Sequence, residues 1–371
     1  SLDHFKVELF IDKKKTATIE DIITEKLDKQ FTSSRFSLPY QQANYWFSFT
    51  LHNQTDKKIR SIVVIDEPYL YHADLYYQDS VGNWHIEDNG VAVPISERAI
   101  PSRLPHFSIY LEANEAKKVY LRTSTRHSLV SFAITIKSAS IATQHEQMKV
   151  AGYCLFFGIS IAMLLYNLFI FLTLRDHLYF YYCLYCGAFF MFVVQYSGFH
   201  LFVVNSNFIH YALAGFVPLT LSFLTLFISQ LLQTKKNLPK IDLIMRFVAL
   251  IFFLEAILTV INPDYYFITL ILGMPVGLFL FAISIYAFVQ KVPLANYLLF
   301  GMSWHIIGLF LVAGLNLDLV QYSFLTRYGF ILGSLIELFV FALALVARVK
   351  LLQKEKNAFR GELIAIEKKE K

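Results

Sequence analysis

Few side chains in this 371-residue chain have the types and spacing that chemistry requires. Cys183-Leu184-Tyr185-Cys186 has the spacing of a redox pair or of half a zinc site. A zinc site needs further ligands, and a redox pair needs an exposed thiolate. All three cysteines, Cys154, Cys183 and Cys186, lie in apolar runs, so the plainer reading is small apolar residues, two of them one helical turn apart. Asp66, Glu67 and Asp74 offer hard oxygens of the kind Ca²⁺ takes, but no tight acidic loop surrounds them, and no metal is expected. There is no HExxH pattern, no Ser/Lys constellation, no Gly-rich phosphate loop and no nucleic-acid motif. The expectation is a chain without catalytic residues or cofactor that does not bind nucleic acid.

Two groups of residues remain. Trp46, Tyr69, Tyr71 and Trp84, with Tyr76 and Tyr77, have the ring faces a sugar stacks on, and Arg98 and Arg103 suit a hydroxyl-rich or acidic ligand. Against this, aromatic residues in alternating strands are more often core, and loop arginines are more often solvated. The second group lies in apolar surroundings: Asn167, Gln195, Glu255, His305 and Glu337. A carboxylate deep in a bilayer is costly and faces the bundle interior or a cavity. Two readings stay open for these: a polar network that switches between arrangements, and static hydrogen bonds that hold helices together.

What must position these residues is a strongly divided chain. Hydrophobic residues make up 56% of it, and its mean hydropathy is +0.48. Residues 1–145 read as a soluble domain, whereas 148–349 are dominated by long apolar runs. A bilayer needs about 20 apolar residues per helix. Seven stretches qualify, near 149–174, 178–204, 207–232, 241–261, 267–289, 294–316 and 325–349. Arg175, Lys235, Lys236, Lys240 and Lys291 follow spans one, three and five, while the loops after spans two, four and six carry little positive charge beyond Arg327. The positive-inside rule then puts the N-terminal domain outside and the C-terminal tail inside. The net charge of +5 is explained by that clustering and needs no nucleic acid. Tyr196, Phe199, His200, Tyr265 and Tyr266 read as interface aromatics. Ser1-Leu2-Asp3 does not open on Met, and a cleaved signal peptide is the expected carrier of the outer domain.

The N-terminal part has strand signals at 5–11, 45–52, 59–65, 72–78, 83–87, 106–111, 117–123 and 129–136, with a short helix expected over 19–31. Along 45–52 the alternation puts Trp46, Ser48 and Thr50 on one side and Phe47, Phe49 and Leu51 on the other. Turn residues at 53–57, Gly82-Asn83, Asn89-Gly90 and Asn114 separate the strands. Many short strands at this spacing predict a β-sandwich or jelly roll, without disulfides.

Tyr166-Asn167-Leu168, Leu174-Arg175-Asp176, Tyr179 and Tyr182, with Arg327-Tyr328-Gly329, Gly333, Glu337 and Ala347-Arg348-Val349, resemble the bacterial seven-transmembrane receptors with diverse intracellular signalling modules. The soluble part resembles that family's extracellular domain through Trp46, Asn53, Asp74-Leu75-Tyr76, Gly90, Arg98, Pro105-His106-Phe107 and Arg122. The resemblance covers nearly the whole chain. It implies a jelly roll that binds a carbohydrate or related small ligand outside, and an output module of the histidine kinase or diguanylate cyclase type inside. The sequence ends at Lys371, so that module is expected on a longer chain or on a partner.

Beyond the last span, Leu345, Val349, Leu352, Phe359, Leu363 and Ile366 recur by fours and threes, with Lys356 filling an a position. This is the seam of a parallel coiled coil in a homodimer. The alternative is one amphipathic helix on the membrane surface. The expected fold is thus a multi-domain membrane protein: an all-β jelly roll or sandwich (1–145), an α-helical seven-transmembrane bundle in contact with lipid (146–347) and a cytoplasmic coiled-coil helix (348–371). A receptor in the bacterial inner membrane is the expected function. A transporter or channel with an accessory domain is the alternative, since Pro275, Gly273 and Gly277 interrupt span five and Glu255 is a lone ion-site candidate. An intramembrane enzyme lacks its constellation.

Overall fold

The structure is a computed structural model that describes residues 6–24, 29–31, 35–38, 43–79, 81–124, 130–203, 210, 212–317, 319–321 and 323–370. Among these residues the strands are β1 (Val7–Asp12), β2 (Lys29–Phe31), β3 (Arg35–Leu38), β4 (Asn44–His52), β5 (Ile59–Ile65), β6 (His72–Gln78), β7 (Trp84–Glu87), β8 (His106–Leu111), β9 (Ala116–Ser124) and β10 (Val130–Ser138). They form a six-stranded sheet ordered β2-β1-β4-β9-β6-β7 and a four-stranded sheet ordered β3-β10-β5-β8. The pairings are antiparallel. From β3 to β10 each successive strand changes sheet, apart from the β6–β7 hairpin, which is the connectivity of a jelly roll.

Alternation determines which side chains fill the sandwich. Tyr45, Phe47, Phe49 and Leu51 of β4 join Val63 and Ile65 of β5, Phe107 and Ile109 of β8, and Phe132 and Ile134 of β10 in one buried cluster. Phe47 meets Phe132 edge to face at 5.2 Å, linking the two sheets. The other face of β4 is turned away from this core. It carries Trp46, which packs with Tyr76, Tyr120, Ile19 and Ile22.

Helix α1 supplies Ile19 and Ile22 and is described over Ile19–Thr24; of the rest of the expected 19–31 helix, residues 25–28 lie outside the described residues. Its start is fixed by a reciprocal cap, Thr18 N to Asp21 Oδ2 at 2.8 Å and Asp21 N to Thr18 Oγ1 at 3.4 Å. Lys29–Phe31 instead pairs with β1, Val7 opposite Phe31.

Among the described residues, seven helices are long and apolar enough to cross a membrane: Ala139–Leu174, His177–Tyr196, Leu213–Leu231, Pro239–Ile261, Pro263–Val289, Ala295–Asn316 and Phe324–Gly361. They are spans one to seven below. Span two ends at Tyr196, and a short 3₁₀ turn, Phe199–Phe202, follows it. The helix Phe267–Val289 in span five runs continuously through Pro275, so the expected interruption does not occur. Strand β10 passes into span one with no linker, Ser138 being the last strand residue and Ala139 the first helical one. The last helix continues without a break from Phe324 to Glu370. Large apolar side chains such as Phe169, Phe247, Ile271 and Phe339 are exposed on the span surfaces, as lipid contact requires.

The chain divides into two compact units. One comprises Ser1–Leu155, Met191–Ala214 and Thr259–Asp264, and the other Phe156–Phe190, Gly215–Leu258 and Tyr265–Lys371.

Candidate functional site

Three polar centres stand out, each built from residues far apart in sequence. The first is the outer face of the six-stranded sheet. Register puts Phe10, Trp46, Arg122 and Asp74 in one cross-strand row and Glu8, Ser48, Tyr120 and Tyr76 in the next. Arg122 Nη2 donates to Asp74 Oδ2 at 2.6 Å and Nε to the same oxygen at 2.9 Å. The guanidinium also lies 5.8 Å from the Trp46 ring and 6.0 Å from that of Tyr76. Burial pushes the Asp74 carboxyl up from its ordinary range, and the hydrogen bonds and charge of Arg122 pull it back only in part. Trp46 Nε1, Ser48 Oγ and Asp74 Oδ1 are buried without a hydrogen-bond partner among the described residues. Trp84 on β7 meets Tyr120 edge to face at 6.0 Å and stays half-buried.

The second centre lies where the loops after β5 and before β8 meet the start of span one and the end of span two. Arg103 is only 3% exposed. Its Nη1 donates to the carbonyl of Ser197 at 2.7 Å. Its Nε lies 2.7 Å from Glu146 Oε1, and its Nη2 donates to Oε2 at 3.2 Å. The planar guanidinium is also near the rings of Tyr153, 5.3 Å, and Phe199, 5.9 Å. Asp66 accepts from Lys149 Nζ at 2.8 Å. Tyr69 lies 5.9 Å from the Tyr196 ring and 6.0 Å from that of His210. His200 Nε2 and His210 Nδ1 are 2.7 Å apart, and both rings are buried. Burial pushes the His200 imidazolium down to about 4, so this ring is neutral near pH 7. Gly198, at φ 80°, makes the turn: a Cβ there would meet Pro68 Cβ at 2.9 Å.

The third centre is inside the membrane spans. Tyr179, Tyr182 and Tyr185, at three-residue steps on span two, all reach span seven. Their hydroxyls donate to Leu345 O at 3.1 Å, Leu338 O at 2.7 Å and Glu337 Oε2 at 2.8 Å. His305 Nδ1 on span six is 2.7 Å from the same Glu337 oxygen, and Ser334 Oγ is 3.2 Å from His305 Nδ1. Glu337 is fully buried. Spans six and seven are in backbone contact here: a Cβ on Gly333 would run into the carbonyl of Trp304. Separately, Glu255 Oε1 accepts from the backbone N–H of Thr269 at 2.6 Å.

The description "7TM diverse intracellular signalling" matches residues 151–348, more than half of the chain, and "7TMR-DISM extracellular 2" matches residues 5–137. The chain belongs to the 7TM diverse intracellular signalling family. It therefore carries that family's extracellular domain as its jelly roll. No curated protein matches it in sequence. Among solved structures it is similar to the enzymatically active domain of tailspike protein 4 of bacteriophage CBA120, at 9% identity and a TM-score of 0.19. That likeness covers 36% of this chain and 19% of the tailspike chain, so this chain spans about a fifth of that protein, and the score is too low to indicate a shared fold.

In this 7TM diverse intracellular signalling protein the six ligand candidates fall at different places: Trp46 and Trp84 belong to one cluster with Tyr76 and Tyr120, and the other four lie elsewhere. Trp46 is buried under α1 rather than presented to solvent. Arg98 is not a free arm either: it is 4% exposed and donates to the carbonyls of Val93, Ser102 and Gly90. Arg103 and Tyr69 belong to the second centre. Tyr71 meets His72 edge to face at 4.6 Å, and Trp84 lies on the edge strand β7. Asp66 and Asp74 pair with Lys149 and Arg122, and Glu67 accepts from the N–H of Tyr69 at 3.3 Å, so these three carboxylates do not meet. Among the described residues no three metal-ligating side chains come together.

Of the membrane residues, His305 and Glu337 are brought together. Asn167 bonds its own helix, donating to Met163 O at 2.9 Å, and Glu255 is separate. On the last helix Leu352 is 43% and Phe359 62% exposed; Val349 is half-buried, Lys356 is exposed, and the side chain of Leu363 lies outside the described residues. Sequence reasoning missed Glu146, Lys149, Tyr185 and His210. Only Tyr185 left a signal, as the third tyrosine of a three-residue repeat.

Proposed function

We propose that this chain is the sensing and transmembrane part of a signal receptor of a bacterial inner membrane. The observation that supports this most is continuity at both ends of the bundle. Strand β10 of the jelly roll becomes span one without a linker, and span seven extends as one helix to Glu370, beyond its apolar part. A strain in the sandwich would reach the start of span one through continuous secondary structure, and a shift of span seven would be carried along the helix that extends it.

The positive loops favour an outer jelly roll and an inner C-terminus. A small ligand, of the carbohydrate-related class that the resemblance implies, would shift the balance between two bundle arrangements by its differential affinity for them. Tyr69, Tyr71, Tyr77 and Trp84 are the half-buried aromatics among the candidates, and a sugar would stack on the ring surface they keep exposed. The second centre couples the jelly roll to the helix ends, and the Glu337–His305–Tyr185 centre holds spans two, six and seven. The exposed Leu352 and Phe359 then form the seam of a parallel homodimer that drives an output module of the kinase or cyclase type. The regions 1–145, 146–347 and 348–371 take the roles of sensor, bundle and signalling helix. The chain itself performs no catalysis in this scheme.

The test uses the chain in lipid nanodiscs and in oriented vesicles. A panel of sugars, peptides and Ca²⁺ is screened by thermal shift, since a ligand bound only to the folded form raises its melting temperature. A Phe359→Cys variant lacking Cys154 is probed with an impermeant maleimide. The proposal expects labelling only from the side opposite the jelly roll. Labelling from the same side would overturn the topology on which it rests.

A further inference from the structure

The first turns of span one lie against the outer face of the four-stranded sheet, and the contact is incomplete. Ala139, Ala142, Thr143, Glu146, Val150 and Ala151 recur by threes, fours and ones, so they share one helix face. Ala142 packs with Ile62, Val64 and Leu104, with Ala139 and Ile100 beside them. Small residues on the helix opposite the sheet leave space, and a cavity of about 460 Å³ is found there. That is within the usual range for small-molecule sites, about 300–1,000 Å³.

The lining states what would fit. Its walls are aliphatic, formed by Ile62, Ile100, Pro101, Val150 and the alanines, and among the described residues no aromatic ring of Phe, Tyr or Trp takes part. A sugar, which stacks on such rings, finds no platform here. Arg60 is exposed on one side of the cavity and supplies a cation, steadied by its Nε bond to Ser108 Oγ at 2.8 Å. The Glu146 carboxylate, the negative group in the lining, is already paired with Arg103. His106 accommodates a polar ligand group: Nδ1 is 3.1 Å from the Leu104 carbonyl and so carries the proton, which leaves Nε2 with its lone pair. Burial pushes the ring's pKa down and keeps it neutral. At the other end Val150 and Ala151 begin the apolar stretch of span one, the level where single-chain amphiphiles partition from a bilayer.

We infer that this cavity is a binding site for a single-chain amphiphile with an anionic head, its chain between Ile62, Ile100 and the Ala142 face of the helix and its head toward Arg60. The chemistry fits a free fatty acid or a lysophospholipid alike. None of the aromatic sugar candidates Trp46, Tyr69, Tyr71 and Trp84 lines this cavity. Because it separates the sheet from the helix that β10 enters, its occupancy would tilt span one; that consequence rests on the receptor reading, whereas the binding does not.

The test is photo-crosslinking of the full chain in nanodiscs with a diazirine-bearing dodecanoate, mapped by peptide mass spectrometry. Labelling should appear in the peptide containing Ala139–Ala151 and fall at least fivefold in Ala142→Phe, which fills the cavity, while labelling of the other spans stays constant as the internal reference. Ile100→Trp fills it from the loop before β8 and should do the same if Ala142→Phe does not fold. Arg60→Gln should weaken labelling severalfold. Competition by unlabelled dodecanoate or by lysophosphatidylglycerol supports the site and tells which source is preferred. Labelling confined to other spans, labelling unchanged by both cavity-filling variants, or equal displacement by dodecanol would overturn the inference. Each of these reads binding alone, so failure here leaves the receptor reading standing, and failure of that reading leaves this site standing.

Discussion

Removal of Arg103 should be costly to the jelly roll although the residue lies outside its apolar core. It is 3% exposed, its guanidinium faces both oxygens of Glu146, and it caps the carbonyl of Ser197. Breaking a buried ion pair by deleting one partner typically costs about 3–5 kcal/mol, because the other charge is left behind. Glu146 has a side chain still 20% exposed and can regain some water, so the low end, about 3 kcal/mol, is expected for Arg103→Met. Glu146→Gln leaves Arg103 its Ser197 acceptor and should cost less, about 1–2 kcal/mol. The double variant should then cost less than the two singles together, with a coupling of about 1.5 kcal/mol or more. The assay is urea unfolding in nanodiscs followed by tryptophan fluorescence, since Trp46 and Trp84 report on the jelly roll. Arg60→Met, on an exposed arginine, serves as the control and should stay within about 0.5 kcal/mol. A coupling below about 0.5 kcal/mol would refute the assignment of Arg103 and Glu146 as one buried unit.

Other outcomes follow from the same geometry. His200 is held neutral, with its pKa depressed from 6.5 to about 4, so its contribution is complete above pH 6.5 and is lost as pH falls toward 4, where the unfolded chain binds a proton that the folded one does not. The loss should reach about 3 kcal/mol; melting curves from pH 7.5 to 4.5 should be steeper for wild type than for His200→Gln, and parallel curves would contradict it. Gly333→Leu drives a side chain into the Trp304 carbonyl and should destabilise the packing of spans six and seven by about 1–3 kcal/mol, read as a lower melting temperature in nanodiscs. Tyr182→Phe removes one hydroxyl bond to Leu338 and should cost only about 0.6 kcal/mol in a membrane setting, whereas Glu337→Ala strips both Tyr185 and His305 of their partner and should cost distinctly more in the same assay.

The jelly roll was legible where alternation was long: β4 and β5 appear within a residue of their expected limits, and Phe47 and Trp46 face opposite ways as period two demands. The strand Lys29–Phe31 was not, because Ile19, Ile22, Ile23 and Leu27 fit a helical face while three residues are too few to show a strand period. The spans were legible because a run of about twenty apolar residues fits little besides a helix of bilayer length. Site residues were harder to read for a different reason. Trp46 and Arg98 have types that suit a ligand equally well as a core, and only tertiary packing decides between the two. Arg103 with Glu146, and His305 with Glu337, are joined across dozens of residues by element packing that no local pattern encodes. Pro275 broke the pattern of span five without breaking its helix.

The central claim is that the outer jelly roll governs the helix that leaves the membrane. Its most direct test is a chimera in which the chain, through Glu370, is joined in register to the catalytic half of a histidine kinase and reconstituted in proteoliposomes. Autophosphorylation would be compared between wild type and Arg103→Gln, a change outside the bundle core that loosens the tie between the jelly roll and the helix ends. The account predicts a severalfold change in the basal rate at equal insertion. An unchanged rate, with the Arg103–Glu146 pair shown to be broken, would contradict it.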